Sequence, residues 1–159
     1  MKNIKFSRLF AAFAFVACLA LTACQQQPEE TKNSIKGTWE TSYGEKYVIT
    51  STNYDNYYKS GNDFVLSYST NNINIVEGAN NTGFVYGQFN DAAHIGYGAT
   101  VGQWYALYYT DLTDKSVKLY QPYKSGGKGG CNSLEEAKTE YTLANGYFNL
   151  SNPSVGVRK

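Results

Sequence analysis

From Ile35 onward the chain is cut into short strand-like runs by clusters of glycine, asparagine, aspartate and serine, and this rhythm constrains the fold more than any single motif. Residues 36–43 and 46–50 flank Gly44 and read as a hairpin. Residues 53–59 end at Ser60-Gly61-Asn62-Asp63, a turn signal. Phe64, Leu66 and Tyr68 then alternate with Val65, Ser67 and Ser69, a period of two that places the three large residues on one strand face. Further strands are expected at 72–77 and 84–89, with 78–83 as the loop between them. Two more, 104–109 and 117–120, are joined through 111–115. Residues 91–102 form a long glycine-punctuated segment, a candidate barrel-mouth loop.

After the flexible 125–130 stretch, Ser133-Leu134-Glu135-Glu136 has capping-box spacing and predicts one short helix over 134–140. Asn145-Gly146 reads as a type I′ hairpin turn leading into 147–150, and 155–158 is a last extended piece. The 15 tyrosines and 15 glycines favour strands and turns over helices. About eight short strands and one late helix in a single-domain length point to an all-β, up-and-down antiparallel β-barrel, with a sandwich as the other arrangement. Closing the sheet removes exposed edges and lets one face of each strand fill or line the interior.

The first 23 residues have a different character. Lys2, Lys5 and Arg8 precede an apolar stretch over 9–21, the pattern of a signal peptide. That stretch is short of the roughly 20 apolar residues a permanent membrane helix needs. It ends in Leu21-Thr22-Ala23-Cys24, which resembles the lipobox of bacterial lipoproteins. The resemblance implies cleavage before Cys24, a diacylglycerol on its thiol and a further acyl chain on the new amine. Each buried methylene of such chains contributes about 0.8 kcal/mol to membrane attachment. It also implies a cell-envelope location, and Gln25 after the lipidated cysteine agrees with sorting to the outer membrane. The expected organisation is therefore a leader over 1–23, a polar tether over 24–34 and a barrel domain over 35–159.

Cleavage would leave 136 of the 159 residues, enough for one domain with its own core. Three of the 14 basic residues lie in the leader, so the remainder carries 11 against 13 acidic residues and lacks the basic stripe of a nucleic-acid partner. Cys131, preceded by a lysine- and glycine-rich stretch, has no disulfide partner once Cys24 carries lipid. It is either a reactive thiol or a partly buried small residue leading into the helix.

Signals for catalysis are weak. His94 is the one histidine and cannot alone supply a metal-ligand cluster, so no metal site and no cofactor are expected. Glu40 and Glu45 flank the first hairpin and have the residue types of a glycosidase carboxylate pair, but charges at a strand turn are the common occurrence. No enzyme is expected.

Gly37-Thr38-Trp39, opening the first strand, resembles the Gly-x-Trp signature of the lipocalins and the wider calycin group. In that group the tryptophan packs across the closed end of the barrel beneath a basic side chain from near the C-terminus. The resemblance assigns that role to Arg158. Thr110-Asp111 is similar to the start of the family's Thr-Asp-Tyr loop motif, with Leu112 in place of the tyrosine. The resemblance implies binding of a small apolar or amphipathic ligand in the barrel. The alternative is a filled barrel whose surface contacts an envelope or host protein. For either, Trp104, Tyr105, Tyr108 and Tyr109 are the expected recognition residues. Alternation places Trp104 and Tyr108 on one face and Tyr105 and Tyr109 on the other.

Overall fold

A computed structural model describes residues 33–95 and 98–159. The expected leader, Cys24, the tether as far as residue 32, and residues 96–97 of the long loop lie outside the described residues. Eight strands form a closed antiparallel barrel in which each pairs with its sequence neighbours and β8 closes on β1. They are β1 (Gly37–Thr41), β2 (Glu45–Ile49), β3 (Tyr54–Ser60), β4 (Asp63–Glu77), β5 (Gly83–Phe89), β6 (Trp104–Thr110), β7 (Ser116–Tyr120) and β8 (Ser154–Arg158). One helix, α1 (Leu134–Glu140), interrupts the β7–β8 connection. Connections in an up-and-down barrel alternate between its ends. The β1–β2, β3–β4, β5–β6 and β7–β8 connections therefore share one end, called the mouth. The chain entry at 33–36 and the three remaining connections share the other, closed end.

Two expected strands, 64–69 and 72–77, are a single long one. The break expected between them is absent: the chain passes through 70–71 with an irregularity in pairing to β5 between Asn71 and Asn74. Asn72 takes a φ of 50°, which asparagine tolerates. A second irregularity alters which side chains face inward. β3 and β4 pair Asn56 with Tyr68 and then Tyr57 with Leu66, so Ser67 is an extra residue. Tyr68 points into the barrel, whereas Phe64 and Leu66 point out. The outward course agrees with Lys46 Nζ lying 4.5 Å from the Phe64 ring centroid and 4.2 Å from that of Tyr57. The single face expected for Phe64, Leu66 and Tyr68 is thus split by one inserted residue.

The third difference is at 147–150, which form no strand. Asn145 instead ends the helix, its Nδ2 donating to the Thr139 and Glu140 carbonyls, and Gly146 turns the chain with a φ of 76°. Tyr147 and Phe148 are buried side chains of the β7–β8 connection. β7 pairs with β6 only over Tyr108–Thr110, which leaves the start of β6 without a β7 neighbour. Cys131 occupies part of that gap, exchanging two backbone hydrogen bonds with Trp104 at 2.7 and 2.9 Å.

The helix has the expected bounds. Ser133 Oγ accepts from the Glu136 amide at 3.1 Å, and the Glu136 carboxylate reaches back to the Asn132 amide at 2.7 Å. Its job is to bring Ala137 and Tyr141 over the barrel, where Tyr141 packs edge-on to Tyr105 with ring centroids 5.9 Å apart.

Candidate functional site

The closed end is sealed from the first strand. Trp39 is fully buried and its indole N–H donates to the Ile35 carbonyl at 2.8 Å. The Arg158 guanidinium carbon stands 4.1 Å from the centroid of the Trp39 ring. The same guanidinium donates to the carbonyls of Ser34, Lys36 and Asp114 at 2.7–2.8 Å, tying the chain entry and the β6–β7 connection to the C-terminal strand. Ser34 and Asn33, the last residues of the expected tether, are therefore bonded to the barrel, Asn33 through the Leu112 carbonyl. Thr110 ends the sixth strand and Asp111 follows it, and Leu112 is buried where the similar motif has tyrosine.

Above this plug the interior is filled by rings. Tyr47, Tyr54, Tyr68, Phe89 and Tyr105 form a continuous chain of contacts with centroids 5.1–6.3 Å apart, and all are at most 2% exposed. Such contacts add roughly 0.5–1.5 kcal/mol each beyond area burial. The Tyr54 and Tyr68 hydroxyls hydrogen-bond to each other, one donating and the other accepting. One strand, β5, supplies room by omitting two side chains: a Cβ at Gly83 would strike the Tyr109 ring, and one at Gly87 would strike Thr70.

The mouth differs in kind. Ladder partners share a face, so pairing of Glu45 with Tyr58, and of Tyr58 with Val65, puts these three in one inward-facing row at the top of β2, β3 and β4. Tyr58 and Val65 are nevertheless 50% and 37% exposed among the described residues. Below them the next row is Tyr47, Asn56 and Tyr68. Glu45 accepts from Ser154 Oγ at 2.6 Å and from Gln121 Nε2 at 3.3 Å, and Gln121 also donates to the Tyr47 hydroxyl at 2.9 Å. No cation pairs with Glu45 among the described residues. Burial first, then the Glu45 charge, hold the Tyr47 phenol well above its ordinary value, so it stays protonated. Asn56 is 96% buried, and its Nδ2 has no hydrogen-bond partner among the described residues. A buried donor left unpaired costs about 1–3 kcal/mol.

The expected recognition residues do not converge. Tyr105 and Tyr109 are interior, fully buried side chains, whereas Trp104 and Tyr108 lie on the outer face. Tyr108 joins an outer row with Phe84 and Tyr120 beneath Phe148, with centroid separations of 4.8–5.8 Å. Trp104 is half-buried beside Cys131. Cys131 itself is buried, and desolvation pushes its thiol up to about 11, which disfavours the reactive thiolate.

His94 and Asp91 bond to each other at 2.8 Å in the loop, and that bond with the Ala93 amide holds the Asp91 carboxyl below its ordinary value. Glu40 pairs with Lys159 at 3.3 Å on the outer face while Glu45 points inward, so the two carboxylates cannot flank one substrate bond. The mouth row was missed from sequence although a signal existed: Glu45 shares the parity of Tyr47 and Ile49, an acidic residue in register with a buried face.

These features define an eight-stranded, closed, antiparallel barrel consistent with a lipocalin-like fold, plugged at one end by Trp39 and Arg158. No protein-family model, curated protein or solved structure matches the chain.

Proposed function

We propose that this protein is a lipid-anchored envelope protein, attached through Cys24, that binds a small amphipathic ligand at the mouth of its barrel without catalysing a reaction. The observation that carries the reading is the open row of Glu45, Tyr58 and Val65 above the unpaired Asn56 amide. Binding sites combine apolar surface with a few placed polar groups, and this is where the described barrel offers both. The interior rings favour a ligand seated at the mouth over one swallowed by the core.

A second reading, a surface that docks an envelope or host protein, draws on the outward patch of Tyr57, Phe64 and Leu66 with Lys46 over two of its rings. Titrating the isotope-labelled protein with small-molecule extracts of the envelope and following backbone resonances separates the two. Saturable shifts centred on Glu45, Tyr58 and Val65 are expected. Shifts confined to the Lys46 patch on addition of envelope proteins, with none at the mouth, would replace the first reading with the second.

A further inference from the structure

We propose that the mouth selects a small organic cation: a primary amine that also carries a hydroxyl or carbonyl oxygen. This rests on the mouth being the ligand site and specifies the chemistry of what enters it. Glu45 supplies the charge. Its carboxylate faces inward at the top of β2, is half-buried, and accepts from neutral donors, Ser154 and Gln121 among them. A carboxylate in such surroundings, with no cation partner among the described residues, is stabilised more by an arriving ammonium than by a neutral guest.

Tyr58 supplies the second element. It is Glu45's direct ladder partner, half-exposed, and its ring lies on the same sheet face as the carboxylate. Aromatic faces attract ammonium groups, contributing more where water is excluded. Val65, the next residue in the row, offers an aliphatic wall for the ligand's carbon.

Asn56 supplies the third element and is independent of the charge argument. One row deeper, it is buried among the interior tyrosines, and its amide donor is left unpaired. A buried donor without a protein partner is matched by an acceptor on the ligand, which is why the amine must also bear an oxygen. The neighbouring lysine, Lys46, points to the outer face over Tyr57 and Phe64, so its charge is not in the mouth to compete for Glu45.

The test compares glucosamine with N-acetylglucosamine on the full chain in maltoside detergent, following the Glu45, Asn56, Tyr58 and Val65 resonances. The two sugars share the ring and hydroxyls and differ chiefly in the charge that acetylation removes. Glucosamine is expected to bind saturably at these residues, at least tenfold tighter than the acetylated sugar. The preference should fall to less than twofold in Glu45→Gln, which keeps the shape and an acceptor for Ser154. Tyr58→Leu, at an exposed position where unfolding is not at issue, should weaken glucosamine severalfold.

Equal binding of the two sugars at the mouth, or an unchanged preference in Glu45→Gln, overturns the cation inference and leaves the mouth as the ligand site. Absence of glucosamine binding up to tens of millimolar also overturns it. In that case the extract titration decides independently whether the mouth binds anything.

Discussion

At Gly37 the backbone takes a φ of 146°, and a methyl group placed there would collide with Nη1 of Arg158. The glycine of Gly-x-Trp therefore does two things: it permits the backbone course into β1 and leaves space for the guanidinium that covers Trp39. Gly37→Ala should cost about 2–4 kcal/mol, combining backbone strain with displacement of the cation–aromatic contact. Arg158→Lys should cost about 1–2 kcal/mol, since one ammonium cannot replace a planar fork that reaches three carbonyls. Urea unfolding followed by tryptophan fluorescence checks both, and losses under 0.5 kcal/mol would mean that this contact does not hold the closed end. This plug was legible because its residues are rare: one early tryptophan, one late arginine. The mouth row was less so. Its members are ordinary residues whose common direction depends on the extra Ser67, and a period-two reading cannot see an inserted residue.

Among the elements, strands separated by glycine turns were readable because alternation and turn chemistry agree there, and α1 was readable because Ser133 and Glu136 stand at cap spacing. The two misread stretches share a cause. The break expected before Asn72 is absorbed as an irregularity inside β4, and the Asn145-Gly146 reversal signal serves the end of a helix. Local chemistry fixes that the chain bends there; only the partners on either side decide what the bend joins. The helix cap has a consequence beyond α1, since it sets where Tyr141 meets Tyr105. Ser133→Ala should lower stability by about 1 kcal/mol. It should also speed amide exchange in 134–141 more than in β1–β3, which native-state hydrogen exchange would report. Equal acceleration everywhere would show that the helix does not open as a separate unit.

For the whole molecule, the lipid-anchor proposal and the packed interior make separate demands. If Cys24 carries the acyl chains, Cys24→Ala should move the protein from the detergent phase to the aqueous phase on partitioning, and unchanged membrane association would sink the anchor. The interior makes a demand on pH. Burial is the leading cause that raises Tyr47, Tyr54, Tyr68 and Tyr141 well above the ordinary phenol value, and that pushes Tyr86 and Tyr109 up to about 12. In the unfolded chain these phenols ionise near pH 10, while in the barrel they keep their protons. The resulting stability is fully present below about pH 10 and is lost as pH rises from there towards the folded values, because the unfolded state alone releases protons in that window. Each phenol contributes a slope of about 1.4 kcal/mol per pH unit, so the first four together approach 5–6. A domain of ordinary stability, roughly 5–15 kcal/mol, would then be exhausted within one to three units. We expect one cooperative alkaline transition centred between about pH 11 and 13, with loss of circular dichroism coinciding with a step in phenolate absorbance. Smooth ionisation of most tyrosines near pH 10 with the fold intact would mean that solvent reaches the barrel interior, and the filled core argued from their burial would be wrong.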